Sequence, residues 1–191
     1  MKNSGSNGSS TRVAADGQQD EGPIDAAKFR QIMGGFTTGV AVVTTYADGE
    51  PHGMTVNSLT AVSLEPLLLL VCLTKNSRTI QAIQKSGRFA VNLLALEQRE
   101  VSNSFARAGE DHFGGIDVAW TGGVPLIDGS IGHLVCRVSR IDDGGDHDIV
   151  LGDVESGETR AGEPLVFYRG RYGQYLPLAR TQRDIGIDWF G

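Results

Sequence analysis

The chain has 191 residues, 40% of them hydrophobic and 21% charged, with a formal net charge of −6. These proportions are ordinary for a globular protein, and the roughly 170 residues behind a polar start suffice for one domain with its own core. The acidic balance argues against a general nucleic-acid surface, which needs a basic stripe, and the longest apolar run, Leu67 to Leu73, is too short to span a bilayer.

Residues 1–22 are rich in Ser, Gly, Asn, Gln and Asp and are expected to form a disordered tail. No apolar stretch follows Met1, so a signal peptide is not expected and the protein reads as cytoplasmic. Asp25 has the chemistry of a helix start, with Ala26, Ala27, Phe29, Ile32 and Met33 behind it and Gly34-Gly35 as the stop. Val40 to Tyr46 is β-branched and predicts a strand, Asp48-Gly49 a hairpin turn, and His52 to Leu59 the returning strand. Leu64-Glu65-Pro66 interrupts before a buried strand at Leu67 to Leu73. A short helix over Ser77 to Ser86, with Ile80 and Ile83 inward, ends at Gly87 and is followed by a strand from Phe89 to Leu94.

Glu97 to Ala108 predicts a second such helix, with Val101 and Phe105 on one side, and Gly114 to Ser130 a loop-rich stretch. His133 to Ile141 alternates, putting Leu134, Cys136 and Val138 on one face. Asp142 to Gly145 then predicts a turn, and His147 to Val154 and Leu165 to Arg169 further strands. Strands dominate without βαβ alternation, so the expected fold is mainly β: an antiparallel β-barrel with a few covering helices. Residues 23–176 are expected to be the domain and 177–191 a C-terminal extension.

Cys72 and Cys136 sit in apolar runs without a CxxC spacing and are expected to be buried core thiols. The four histidines show no ligand spacing, so no metal site is expected. There is no G-x-G-x-x-G and no G-x-S-x-G, and Gly34 to Gly39 lacks the Lys and Ser/Thr of a P-loop.

The segment that stands out is Thr74-Lys75-Asn76-Ser77-Arg78-Thr79, where a buried strand meets a helix start. Two cations sit badly at the positive end of a helix, and a bound anion would resolve the conflict through backbone N–H groups, the Ser77 hydroxyl and the Arg78 fork. An ordinary Ser or Asn cap with two solvated cations is the other reading. Gly53 to Thr60 is unusually small and polar for a strand, so it suits either a flat ligand laid along its backbone or a solvated edge. His147, between Asp146 and Asp148, is a candidate for a ligand-positioning histidine or a plain turn histidine.

Taken in order, these segments resemble the flavin reductase-like family, with its FMN-binding split-barrel fold. The matching pieces are Phe29 to Met33, Thr37 to Val40, Gly53 to Ser58, Ser63 to Pro66, Lys75 to Thr79, Phe89 to Leu94, Gly144 to His147 and Phe167 to Tyr172. The resemblance implies an NAD(P)H-dependent flavin reductase, the reductase component of a two-component flavin monooxygenase. It implies FMN or FAD as flavin, NADH or NADPH as donor, a homodimer, and a partner oxygenase reached by diffusing reduced flavin. Thr37 and Thr38 would line the flavin, Thr55, Val56, Asn57 and Ser58 would follow its ring and ribityl chain, and Ser63 would belong to the same site. Ser77 and Arg78 would take the phosphate with Lys75 nearby. His133, His147 and Tyr172 would lie toward the nicotinamide; no residue is assigned bond-breaking chemistry. Leu67 stands where the family often has a second proline, and Leu59 where it often has an aromatic. A flavoprotein that retains FMN, and a non-enzymatic flavin-binding module, are the alternatives.

Overall fold

A computed structural model describes residues 23–107, 109 and 112–177. The tail expected over 1–22, and the extension from residue 178 onward, fall outside the described residues.

The first helix, α1 (Ala26–Met33), is capped by the Asp25 carboxylate, which accepts the Lys28 N–H at 2.7 Å, and it stops at Gly34. The strands follow as β1 (Thr38–Gly39), β2 (Ala41–Ala47), β3 (Glu50–Val56), β4 (Thr60–Leu64) and β5 (Leu67–Thr74). Then come α2 (Arg78–Ser86), β6 (Arg88–Leu93), a single 3₁₀ turn at Leu96–Gln98, and α3 (Arg99–Phe105). The remaining described elements are β7 (Val118–Thr121), β8 (Val124–Ile127), β9 (Gly132–Gly144), β10 (His147–Thr159), β11 (Leu165–Tyr168) and β12 (Arg171–Gln174).

Seven strands form one antiparallel sheet in the order β3-β2-β6-β9-β10-β5-β4. Its two ends, β3 and β4, are consecutive in the chain, so the sheet curls back on itself across Asn57–Leu59. The mainly β, antiparallel expectation holds. Within that curl Val43, Val71, Leu73, Phe89, Val91 and Val150 are fully buried, and α2 closes the core with Ile80 and Ile83. On the other face, Val40, Val42 and Leu94 pack with Phe105, Ile127 and Leu165, beneath α3 and the small sheet β1-β11-β12. The central strands are therefore covered on both sides: Val42 and Val43, and Ala90 and Val91, are all inaccessible to solvent. Continuous β-branched runs are what such double burial selects.

The helix expected over Glu97 to Ala108 is a 3₁₀ turn followed by the shorter α3, because the Gln98 side chain accepts the Ala95 N–H at 3.0 Å and ties down the first turn. The loop expected over Gly114 to Ser130 contains the β7–β8 hairpin. Its two-residue turn, Gly122-Gly123, has φ of 61° and 82°, which glycine adopts without strain. The strand expected through Leu59 ends at Val56, and β4 re-enters the sheet at Thr60. The Asp142-to-Gly145 turn is tighter than expected, since β9 runs on to Gly144. Cys136 is buried, but Cys72 is only half-buried.

Between β3 and β4 the backbone ladder lapses. Thr60 pairs with Leu70, and two residues earlier Ser58 stands opposite Cys72. The Ser58 hydroxyl accepts the Cys72 N–H and donates to the Cys72 carbonyl, each at 3.0 Å, so one side chain spans the gap.

Candidate functional site

The site is built where β5 runs out. Asn76 takes φ 63°, a left-handed value Asn tolerates, and turns the chain sharply. Ser77 is extended and caps α2, its hydroxyl accepting the Ile80 N–H at 3.3 Å. Arg78 is the first helical residue, and α2 has no acidic residue in its first turn. The first turn of the helix thus carries Arg78 and no carboxylate of its own, the electrostatic reverse of an ordinary helix start. The Lys75 charge, unlike the solvated or anion-seeking cation expected from sequence, already has a protein partner, since its ammonium donates to the Asp143 carboxylate. That contact raises the Lys75 pKa and holds Asp143 below the usual carboxylate range.

Thr74 to Thr79 form one side of a cleft of about 900 Å³. Gly53, Met54 and Thr55 of β3 form its floor, and Phe105, His112 and Phe113 its far wall. The wall is a packed aromatic unit: Phe105 meets Phe113 edge-on at 4.9 Å and His112 at 5.6 Å between centroids. Only glycine fits at position 53, since a Cβ there would lie 2.6 Å from Phe105 Cε1. Thr55 locks floor to wall, its hydroxyl donating to the Ser102 carbonyl at 2.7 Å. His112 Nδ1 is buried with no hydrogen-bond partner among the described residues. A buried polar atom left open beside a cleft is what a ligand donor or acceptor would satisfy. Cations, helix-start N–H groups, an aromatic wall and that open nitrogen suit an anionic ligand with a flat ring system, so the residues present fit a flavin phosphate.

The expected site residues separate into three groups. Thr55, Lys75, Ser77 and Arg78 share the cleft. Val56 is core, Asn57 is exposed, Ser58 is occupied by Cys72, and the Ser63 hydroxyl accepts the Glu65 N–H at 3.1 Å. Thr37 is exposed, whereas Thr38 keeps a buried hydroxyl without a hydrogen-bond partner among the described residues and is separated from Tyr172 by β11.

The three nicotinamide-side candidates do not converge. His147 is opposite Thr74 in register, with Nδ1 at 2.7 Å from Asp146 Oδ1 and Nε2 at 3.5 Å from the Thr74 hydroxyl, so it borders the Thr74–Ser77 turn. The same contact lowers the Asp146 pKa. His133 lines a separate groove of about 440 Å³ and lies 3.9 Å from Glu158. Tyr172 packs against Phe167 and hydrogen-bonds Ser102 Oγ at 2.8 Å. Sequence reasoning missed Phe105, His112 and Ser102; the available signal was Gly53, since a glycine inside a strand marks close approach by another group. Among the described residues, no group of three or more His, Cys, Asp or Glu is placed to hold a metal ion.

Residues 33–176 match the family described as Flavin reductase like domain. The reductase subunit HsaB of a flavin-dependent monooxygenase from Mycobacterium tuberculosis (strain H37Rv) is 47% identical over 164 residues, covering 83% of this chain and 87% of that protein. An NADH-dependent FAD reductase of Streptomyces globisporus is 39% identical over 169 residues, covering 84% and 92%. Among solved structures, the Streptomyces globisporus C-1027 NADH:FAD oxidoreductase SgcE6, in complex with NAD and FAD fragments, superposes with a TM-score of 0.78 at 38% identity, covering 82% of this chain and 96% of that one.

Proposed function

This chain belongs to the flavin reductase-like family, and from that premise we propose that it is an NAD(P)H:flavin oxidoreductase that reduces FMN or FAD and supplies reduced flavin to a partner monooxygenase. The observation that carries the reading is the cleft that joins the start of α2 to the aromatic wall over β3. The two cofactors supply the chemistry, a hydride passing from nicotinamide C4 to flavin N5. The protein binds and orients. The first-turn N–H groups of α2, the Ser77 hydroxyl and the Arg78 guanidinium take the flavin phosphate, with Lys75 beside them. Thr55, fixed by Ser102, sets the floor on which the ring system lies, and Phe105 excludes water from its far side. His147, held at Nδ1 by Asp146, is assigned to the nicotinamide side for its place beside the Thr74–Ser77 turn. His133 and Tyr172 are left out of this assignment, the first for its separate groove and the second for its bond to Ser102.

A homodimer belongs to the same proposal. Its support is α1, which buries no residue and leaves Phe29, Ile32 and Met33 about half exposed, and the β4–β5 corner, where Leu64 and Leu67 are likewise open. Exposed apolar side chains of that kind suit a self-complementary interface. We place the protein in the cytoplasm, a reading supported by two cysteines that are both free thiols. No helix among the described residues is long and apolar enough to cross a membrane.

The test is steady-state oxidation of NADH and of NADPH by the purified protein with FMN, FAD or riboflavin added. Turnover that depends on both donor and flavin is expected. No oxidation of either donor with any flavin would remove the reading.

A further inference from the structure

The turn between β9 and β10 rests on the loop that starts α2. The Lys75 N–H donates to the Asp146 carbonyl at 3.1 Å, and the Lys75 ammonium to one carboxylate oxygen of Asp143. The second Asp143 oxygen accepts the Gly145 N–H at 3.0 Å, so this carboxylate is fixed at both ends. Asp146 and Asp148 act on the same ammonium from farther away, and Arg78 lines the same cleft. The Lys75 side chain retains 30% exposure and the Asp143 side chain 79%. The lysine of the phosphate cleft therefore faces an anion built into the fold, and the turn presenting that anion is the one that carries His147.

We propose that Asp143 is an internal counter-ion that competes with the flavin phosphate for Lys75 and so weakens the hold on flavin. The proposal rests on the phosphate assignment made above. A phosphate gains less from a cation already neutralised than from an open one, and the loss falls on the phosphate alone, not on the ring. For an enzyme whose product must leave and reach another protein, a tempered grip raises the dissociation rate, where most affinity differences reside. Asp143 is thus an affinity-setting residue that acts through Lys75 without touching the ring.

The test is Asp143→Asn, whose carboxamide oxygen still accepts the Gly145 N–H while the charge is gone. Dissociation constants for FMN and riboflavin are measured by fluorescence titration on the full chain at low and high salt. Expected is FMN binding tighter by about fivefold at low salt, the upper range for an exposed pair, with the gain shrinking as salt rises and riboflavin unchanged. Asp143→Glu, which keeps the charge, is expected to stay within about twofold of the parent. Unchanged or weaker FMN binding in Asp143→Asn, or equal tightening of riboflavin, overturns the proposal. Lys75→Ala separates the two layers. If it weakens FMN relative to riboflavin while Asp143→Asn fails to tighten FMN, the counter-ion role alone falls. If Lys75→Ala leaves the FMN-to-riboflavin ratio unchanged, Lys75 does not serve the phosphate, and the counter-ion role falls with that assignment.

Discussion

Gly53→Ala is the sharpest single probe of how the cleft is built. The added methyl would sit 2.6 Å from Phe105 Cε1, 2.8 Å from Cδ1 and 3.2 Å from the Val43 carbonyl oxygen. Neither side yields easily. The carbonyl belongs to β2, held in the ladder on both edges, and the ring is 2% exposed and wedged against Phe113 and His112. Overpacking of this kind costs about 1–3 kcal/mol, partly offset by the roughly 0.4–1 kcal/mol that alanine gains by restricting the unfolded chain. The net expectation is a loss of about 1–2 kcal/mol, or roughly 2–8 °C in Tm for a domain of this size. Urea unfolding followed by circular dichroism measures it, and flavin titration should show weaker binding because the displaced ring forms the cleft wall. Adding Phe105→Leu to the same chain makes room for the methyl, so the double variant should lose less stability than the sum of the two singles, by at least about 0.5 kcal/mol. Strict additivity, or a Gly53→Ala protein as stable as the parent, would refute the claim that Phe105 and Gly53 define the floor-to-wall contact.

Arg78→Ala should weaken FMN by roughly ten- to hundredfold, the range of a lost charge-assisted hydrogen bond, and leave riboflavin nearly unaffected; equal effects on the two ligands would take Arg78 out of the phosphate role. Asp143 and Asp146 both have lowered folded-state pKa values, by their bonds to Lys75 and His147 respectively. Their contribution to stability is therefore complete above the unfolded carboxylate value of about pH 4 and is lost as pH falls through the lower folded values. The Tm difference between the parent and an Asp143→Asn, Asp146→Asn double variant should accordingly stay level above about pH 4 and narrow as pH falls below it; a gap that does not narrow at low pH would contradict the ion-pair account.

Much of the fold was legible because burial wrote it into residue type. Val40 to Tyr46 is a β-branched run because both faces of β2 are covered, whereas in Leu67 to Leu73 every second residue, Leu69, Val71 and Leu73, is buried in the core. The start of α2 was legible because capping is local chemistry: Ser77 and Gly87 mark its ends without help from the rest of the chain. The β7–β8 hairpin was not, since Pro125 interrupts its strand pattern and Trp120 points to solvent at 51% exposure. Its own signal, Gly122-Gly123, was overshadowed by the glycines around it. Site residues divided in the same way. Ser77 and Arg78 stand out from their immediate neighbours and Thr55 through the family resemblance, and the three line one cleft. The wall of Phe105 and His112 was hidden, because α3 meets β3 only after the sheet has curled. Val56 and Ser58 lie in a polar-looking segment yet serve the core and the seam, and Tyr172 is turned inward by a serine 70 residues away. No local pattern encodes such contacts.

The seam at Ser58 gives the sheet an unusual weak point. The β5 backbone is held by β10 along one edge and by β4 from Leu67 to Leu70 along the other, in ladders whose bonds open only when several neighbours part together. On its β4-facing edge at Cys72, the backbone is held by a hydroxyl that can let go by rotation about one side-chain bond. The amide hydrogen of Cys72 is thus guarded by a rotor, so it can exchange with solvent in openings that leave the barrel otherwise closed. Its exchange rate would read the breathing of the seam alone, separately from the global unfolding that governs the strands around it.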